Sequence, residues 1–281
     1  MENFSFTKPG RAWNEDRCYS CEKFIFVLDG ATAISKDKFS SFNSDAEWVS
    51  DWWYKYLIRA LKDENKGLLE LLKEGLTLCH NDFEKLSNGA ILDDYPSTTL
   101  SIVRRRNGKL EIFAVADSPI ILQANTGLAV EIFDNRCDML DDINKIIVKD
   151  FAEKYNIPVM QARQRFGDCI KTGRTTKNKQ YGYYVIDTTG NFEIIDNAIY
   201  KEVDENLIKK VIIMSDGFSQ IFDLFNYYSL EELANNLNSA QDAEKIYNIL
   251  CDLQNKDIDG NVYVRFKIRD DASVAVLKLW Y

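Results

Sequence analysis

The sequence predicts an α+β fold in which antiparallel β-sheet is covered by helices. Short β-type runs occur near both ends and in the middle of the 281 residues, and helical patterns fall in blocks between them. A regular alternation of strand and helix, which would predict a parallel sheet, is absent. No internal repeat and no Pro-rich or Gly/Ser-rich linker divides the chain. We therefore expect a single domain over residues 1–281.

Apolar and β-branched runs bounded by turn residues predict the strands. Phe24–Leu28 reads as a buried strand because this short apolar run stops at the turn dipeptide Asp29-Gly30. Asn107-Gly108 favours a two-residue hairpin turn, so the runs on either side of it should pair. A second hairpin is expected around Thr189-Gly190. The predicted strands are Phe24–Leu28, Thr98–Arg104, Leu110–Ala116, Ile120–Gln123, Tyr181–Asp187, Asn191–Ile195, Val211–Met214 and Ser273–Leu279.

Apolar residues at intervals of three or four predict the helices. Ser44 or Asp45 suits the N-cap of the first helix. Pro158 should interrupt the third helical pattern, because proline disfavours continuation of a helix. The run Lys171–Gln180 holds four basic residues and almost no apolar ones, which is typical of a solvated loop. The predicted helices are Ser44–Leu61, Lys66–Leu86, Asp141–Phe166, Ser229–Leu237 and Ala240–Leu253.

Charge and hydropathy exclude several functional classes. The 35 basic and 44 acidic side chains leave a net charge of −9 at pH 7, whereas a nucleic-acid binder needs a clustered surplus of Lys and Arg. Met1–Arg17 lacks the apolar core of a signal peptide, and no apolar run is long enough to span a bilayer. We expect a cytoplasmic protein, a monomer, that binds neither nucleic acid nor membrane.

Cysteine and histidine chemistry is not favoured. Cys18 and Cys21 form a C-x-x-C motif, but no second pair of Cys or His stands at zinc-ligand spacing. The six cysteines are scattered, as expected for small core residues in a reducing compartment. His80 is the single histidine, and we expect a packing or surface role for it.

Acidic residues at the ends of predicted strands are the strongest sign of chemistry. Asp29 and Asp216 each follow a short apolar run. Asp270-Asp271 precedes the last predicted strand, and Glu15-Asp16 precedes the first. Carboxylates held at the rim of a sheet are suitable ligands for Mg²⁺ or Mn²⁺, and such ions can bind phosphate and activate a water. The alternative is that these aspartates are turn residues, since Asp-Gly is a common turn dipeptide.

Six short motifs along nearly the whole chain point to a known family. They are Arg11-x-x-Asn14-Glu15-Asp16, Phe26-Val-Leu-Asp29-Gly30, Ser97-Thr98-Thr99-Leu100, Ala114-Val-Ala-Asp117-Ser118, Met214-Ser-Asp216-Gly217-Phe218 and Arg269-Asp270-Asp271-Ala272-Ser273-Val274. In this order and spacing the series resembles that of the metal-dependent serine/threonine protein phosphatases, the PPM or type 2C family. The resemblance implies a four-layer α/β/β/α fold, a central antiparallel β-sandwich flanked by pairs of antiparallel helices. The region around 123–180, where the family carries a variable flap, matches poorly.

The resemblance also implies roles for individual residues. Asp29 would bridge two Mn²⁺ or Mg²⁺ ions, and water activated between those ions would attack the phosphorus. Arg11 would clamp the substrate phosphate, for which a guanidinium fork is suited. Asp117 would hold a third, weaker ion. The implied catalytic residues are Asp29, Asp216 and Arg11, and the implied metal-site residues are Asp29, Gly30, Asp216, Asp270, Asp16, Glu15 and Asp117.

The sequence departs from the family pattern at three places. Members commonly read D-G-H-G-G where this chain has Asp29-Gly30-Ala31-Thr32-Ala33, so the histidine proposed as general acid is missing. Ala116 stands in place of a common Gly, and Asp271 in place of a common Asn.

The main hypothesis is a metal-dependent phosphatase that removes phosphate from phosphoserine or phosphothreonine of a signalling protein. One alternative is a catalytically weak or inactive pseudophosphatase that serves as a binding or scaffold module. The other is a structural protein whose aspartates bind no metal.

Overall fold

Two five-stranded antiparallel sheets form the centre of the protein. A computed structural model describes residues 3–31, 37–166 and 173–279. The first sheet contains, in spatial order, β1 (Phe4–Lys8), β13 (Ala272–Lys278), β12 (Ile208–Met214), β8 (Ile120–Ala124) and β9 (Ala129–Ile132). The second contains β11 (Ile199–Asp204), β7 (Lys109–Val115), β6 (Leu100–Arg106), β3 (Phe24–Leu28) and β2 (Arg17–Ser20). A small third sheet consists of β10 (Ile186–Asp187), β5 (Ser97–Thr98) and β4 (Gly30–Ala31).

Helices lie outside both large sheets. Ser44 caps the first of them, because its side chain accepts a hydrogen bond from the backbone N–H of Glu47 at 3.0 Å, as predicted. Pro158 interrupts the third helical pattern, also as predicted. The described helices are α1 (Asp45–Ala60), α2 (Leu68–Ser87), α3 (Arg136–Tyr155), α4 (Val159–Arg165), α5 (Glu193–Asp196), α6 (Asp216–Ser219), α7 (Leu230–Asn236) and α8 (Ala240–Lys256). No helix among the described residues is both long and apolar enough to span a bilayer.

The alternation of side chains along β3 shows how the layers are built. Phe24, Phe26 and Leu28 pack in one cluster with apolar residues of α1 and α2. Ile25 and Val27 point the other way and pack against residues of the opposite sheet. Successive side chains of a strand face opposite sides, so a strand that is apolar throughout is buried on both. The first sheet buries its outer face against α7 and α8 in the same manner. The predicted four-layer α/β/β/α fold is confirmed.

The predicted hairpin around Thr189-Gly190 is wrong. Asp187 accepts hydrogen bonds from the backbone and hydroxyl of Thr189, and Asn191 accepts one from the backbone of Glu193. These local bonds start turns and the short helix α5, in place of a second strand. The strand that does form, β11, comes later and pairs with β7 at the sheet edge.

Three further differences concern edge strands, the start of a helix and a loop. The strands β1, β2 and β9 were not predicted, and they lie at sheet edges with half-buried side chains. The helix α3 begins five residues before the predicted Asp141. Lys177, expected in a solvated loop, is instead buried in an ion pair with Asp94, while Lys171 lies outside the described residues. In agreement with the packing or surface role expected for it, His80 is half-buried and contacts the carbonyl of Thr188 through Nδ1 at 3.0 Å.

One ion pair is fully buried under the connection between α1 and α2. Arg104 and Glu111 face each other across β6 and β7, and each side chain is at most 3% exposed. Arg104 Nε donates to Glu111 Oε2 at 2.7 Å. The same guanidinium donates to the carbonyls of Asp63 at 3.3 Å and Lys66 at 2.9 Å. The pair therefore holds the α1–α2 connection to the sheet.

Candidate metal centre

The predicted acidic residues meet at one end of the sandwich. Asp29 directly follows β3 of the second sheet, and Asp216 follows β12 of the first. Asp16 precedes β2, and Asp270 lies two residues before β13. Burial raises the pKa of Asp29, and the charges of Asp16, Asp216 and Asp270 raise it further. The structure thus brings four carboxylates from both sheets into mutual electrostatic contact.

Asp16 is the most isolated of these carboxylates. It is 1% exposed, and neither of its side-chain oxygens has a hydrogen-bond partner among the described residues. Burial raises its pKa well above the usual range, and the charges of Asp271 and Asp270 add to the effect. A buried carboxylate without a partner is costly unless a cation compensates it.

Asp216 and Asp29 face each other. Their carboxylates are close enough to share a proton, and Oδ1 of Asp216 is otherwise buried with no hydrogen-bond partner among residues 3–31, 37–166 and 173–279. Burial, with the nearby charge of Asp270, raises the pKa of Asp216 to about 6. Two facing carboxylates are compatible only through a shared proton or a shared cation. These unpartnered oxygens fit hard divalent cations, whose preferred ligands are carboxylates.

The fourth carboxylate, Asp270, is already engaged. No group of three or more His, Cys, Asp or Glu side chains in the described parts of the chain stands ready to hold a metal ion. Instead, Lys267 Nζ contacts both carboxylate oxygens of Asp270, each at 2.6 Å. The Lys267 side chain is 53% exposed; partial loss of solvent around the ammonium opposes its charged form, yet the carboxylates of Asp270, Asp216 and Asp29 hold its pKa above the ordinary value. Lys267 was not among the site residues predicted from the sequence.

Glu15 and Arg11 form a separate unit at the rim of the centre. Arg11 donates a hydrogen bond to Glu15, and its guanidinium lies 4.6 Å from the centre of the Trp13 ring. Ser44 donates to the other oxygen of Glu15, and Trp13 Nε1 does so at 3.3 Å. Glu15 is 2% exposed, whereas the Arg11 side chain is 41% exposed. Glu15 therefore anchors an arginine that reaches solvent beside the carboxylates.

Backbone donors occupy the carboxylate of Asp271, which lies close enough to Asp16 for its charge to raise the pKa of Asp16. The Asp271 oxygens accept hydrogen bonds from the backbone N–H groups of Gly10 and Glu15, both at 2.7 Å. It ties the segment that carries Arg11 to the start of β13. Gly217 lies under this contact, because a Cβ atom there would stand 2.0 Å from the backbone oxygen of Asp271. Asp271, which stands where the family commonly has Asn, therefore holds two backbone segments together through its hydrogen bonds.

Gly30 is confined in a similar way. A Cβ atom at this position would lie 2.9 Å from the Cβ atom and from the backbone oxygen of Glu15. Next to it, Asp29 N–H donates to the Thr99 hydroxyl at 3.1 Å, and Thr99 N–H donates to the Asp29 carbonyl at 2.8 Å. These contacts fix the backbone at Asp29 and let the Glu15 segment approach closely.

Asp117 lies on the side of the centre that faces α3. Burial raises its pKa well above the usual range, and the charges of Asp216, Asp138 and Asp141 contribute. Asp138 and Asp141 belong to α3, and neither was predicted from the sequence as a site residue. Burial is also the main cause that raises the pKa of Asp138 to about 7. Their spacing of three residues on one helix was the available signal, but it is equally typical of a solvated face.

Ala116, next to Asp117, adopts a left-handed backbone conformation with φ = 66°. This conformation costs a non-glycine residue roughly 1–2 kcal/mol, and glycine avoids that cost. We expect Ala116→Gly to raise the free energy of unfolding by about 0.5–1 kcal/mol, measured by urea denaturation. Ala114→Gly, in β7 and without a positive φ, is the matched control and should lower it. Equal destabilisation by both substitutions would contradict this account.

A sequence profile described as protein phosphatase 2C matches residues 11–253. The chain belongs to the protein phosphatase 2C family. Its fold is shared by PstP/Ppp of Mycobacterium tuberculosis, with a TM-score of 0.58, 16% sequence identity and coverage of 100% of this chain and 99% of that one. Stp1 of Staphylococcus aureus gives a TM-score of 0.59 at 12% identity, with coverage of 100% and 96%. MsPP of Mycobacterium smegmatis gives a TM-score of 0.57 at 15% identity, and the match covers 100% of this chain and 99% of that one.

All three are described as serine/threonine phosphatases. At these identities the similarity shows the phosphatase 2C fold alone. A search among curated proteins finds no match. Together with the family match, the structural similarities confirm the family and the fold class expected from the sequence motifs.

Proposed function

We propose that this phosphatase 2C family member is a metal-dependent protein-serine/threonine phosphatase. The observation that carries the proposal is the group of buried carboxylates at one end of the sandwich, in which both oxygens of Asp16 and Oδ1 of Asp216 find no hydrogen-bond partner in the described parts of the chain. Such a site is electrostatically unfavourable without cations. The PstP catalytic domain, whose fold this chain shares, has been crystallised in complex with two manganese ions.

Four aspartates would hold the metal ions in this proposal: Asp16, Asp29, Asp216 and Asp270. Mg²⁺ or Mn²⁺ at this position supplies an activated water and neutralises charge on phosphate oxygens. The backbone carbonyl of Gly30 lies next to Asp29 and is a further oxygen donor. Asp117 lies beside Asp216 and would contribute to a third, weaker ion. Asp29 and Asp216 meet across the two sheets, so they can present oxygens to the same ion.

Arg11 is proposed to bind the substrate phosphate. Its guanidinium is exposed at the rim, while Glu15 and Trp13 limit its freedom. A guanidinium can donate two hydrogen bonds to one phosphate group. Because the oxygens of Glu15 already accept hydrogen bonds from three side chains, we assign Glu15 to positioning Arg11 rather than to the metal.

The proposal is tested by metal-dependent hydrolysis of phosphoserine and phosphothreonine peptides. We expect release of inorganic phosphate with saturating Mn²⁺ or Mg²⁺ and none above background after chelation with EDTA, since water activation depends on the cations. Restoring Mn²⁺ to the chelated protein should restore the rate. Calorimetry on the same sample counts bound ions. Metal binding without any hydrolysis would support the scaffold alternative, and absence of both would support the structural one.

A further inference from the structure

The ammonium group of Lys267 lies inside the candidate metal centre. Its Nζ atom stands 2.6 Å from each carboxylate oxygen of Asp270. The Lys267 side chain is 53% exposed, whereas that of Asp270 is 17% exposed. The ammonium therefore reaches the carboxylate from the solvent side. An oxygen that already contacts an ammonium offers fewer lone pairs and less negative charge to a metal ion.

We propose that Lys267 competes within the molecule for the metal position at Asp270 and thereby sets the metal affinity of the centre. This inference rests on the proposed metal-dependent function. The four proposed ligands are all carboxylates, and Lys267 places one positive charge beside them before any metal binds. A divalent ion at Asp270 must displace the ammonium, while an ion held by Asp16 and Asp29 need not. The two sites should therefore differ in affinity.

Lys267 is placed by an ordered loop. Asp257 accepts hydrogen bonds from the backbone N–H groups of Asn261 at 3.0 Å and Tyr263 at 2.9 Å. It also accepts one from Arg265 at 3.1 Å, and Arg265 in turn donates to the carbonyl of Gln254 at 2.9 Å. This network ends two residues before Lys267. The backbone that carries the Lys267 side chain is therefore held in place.

The same loop is braced by α4. Val159 N–H donates to Asn261 Oδ1 at 3.1 Å, and Met160 N–H donates to the Asp259 carbonyl at 3.2 Å. Phe266, the residue before Lys267, packs with the apolar cluster of α3 and α4. An ordinary surface ion pair contributes little because both side chains move freely in water. Lys267 differs because its backbone is held and its partner is largely buried.

Metal binding to Lys267→Gln tests the competition. Glutamine has a similar length and no charge, so the contact with Asp270 loses its ionic character. If the ammonium occupies Asp270 in about nine of ten molecules, its removal should tighten the weaker Mn²⁺ site by about tenfold. Calorimetric titration of the full chain with Mn²⁺ alone measures this change. Lys267→Arg retains the charge and should leave the weaker site close to its original affinity.

Lys85→Gln is the matched control. Lys85 is also an exposed lysine three residues from its aspartate, with its Nζ atom 3.2 Å from Asp82 on α2. Since this pair lies on an outer helix, its removal should change neither Mn²⁺ site. A change equal to that in Lys267→Gln would assign the effect to net charge and overturn the inference.

Thermal unfolding gives a second readout that does not depend on activity. Without metal, Lys267→Gln should unfold at a lower temperature than the original protein, because the carboxylates lose their compensating charge. With saturating Mn²⁺, the unfolding temperature of Lys267→Gln should equal or exceed that of the original protein. A purely structural lysine would lower the unfolding temperature equally in both conditions, which would overturn the inference.

The outcomes of the titration separate the two proposals. Two Mn²⁺ ions bound to the original protein, with no tightening in Lys267→Gln, would overturn the competition and leave the proposed function standing. Mn²⁺ binding seen only in Lys267→Gln would support the competition. No Mn²⁺ binding to either protein would overturn the metal-dependent function, and the competition with it.

Discussion

Asp29→Asn should abolish metal-dependent phosphate release while the fold survives. Asparagine keeps the shape of the side chain but removes the charge that lies among Asp16, Asp216 and Asp270. We expect kcat/KM on a phosphopeptide to fall by at least about a thousandfold, which corresponds to about 4 kcal/mol. In the proposed two-cation mechanism, the remaining ligands cannot compensate for this loss. The measurement is phosphate release at saturating Mn²⁺.

The same substitution, which should lower activity, should raise the stability of the metal-free protein. In the metal-free protein the buried charge at Asp29 is repelled by its neighbours, so its removal should raise the unfolding temperature. Asp252→Asn, on the exposed side of α8, is the control and should change neither activity nor stability. Retention of more than a tenth of the activity by Asp29→Asn would refute its assignment as a metal ligand. Lower stability of the metal-free variant would refute the electrostatic description of the centre.

Glu111→Ala should cause the largest loss of stability outside the metal centre. It leaves the Arg104 guanidinium buried with an uncompensated charge, and it removes an acceptor at 3.4 Å from the backbone N–H of Leu68 at the start of α2. Breaking a buried ion pair in this way costs about 3–5 kcal/mol. Urea denaturation of the metal-free protein measures the change in the free energy of unfolding.

Two further variants define the cause of that loss. Glu64→Ala removes an ion pair with Lys23 in which both side chains are at least 60% exposed, so its stability should hardly change. Replacing both partners, as Arg104→Met with Glu111→Leu, should restore part of the stability, because no unpaired charge then remains. If the double variant is less stable than Glu111→Ala, hydrogen bonds rather than the buried charge dominate at this position.

The sequence predicted the parts of the fold in which burial is complete. Phe24–Leu28 is apolar throughout, and the strand β3 has those bounds because both of its faces are covered. The position of Asp29 followed from the end of that strand. The strands β2 and β11 escaped prediction because edge strands with half-buried residues lack a clear alternation. Their identity depends on pairing partners far away in the sequence.

For the candidate site, the sequence predicted which acidic residues take part but not which contacts they make. Motif order located Asp29, Asp216 and Asp270, since each stands beside a strand with a strong apolar signal. The sequence did not predict which partner each of two adjacent carboxylates would contact. Asp271 accepts hydrogen bonds from backbone N–H groups, while Asp270 contacts Lys267. Lys267 lies in an irregular loop without periodicity, so nothing in its local sequence distinguishes it from a solvated lysine.

The pairing of β1 with β13 has a consequence for biosynthesis. Phe4 pairs with Val276, so the first described strand completes its sheet only with the last one. At about 5–20 residues per second, roughly ten to fifty seconds separate the translation of Asp29 from that of Asp270. During this interval the early carboxylates lack their late partner, and Asp271 cannot yet hold the Arg11 segment. A chain still on the ribosome therefore lacks the complete set of carboxylates that forms the candidate metal centre, which is assembled only after the last strand has docked.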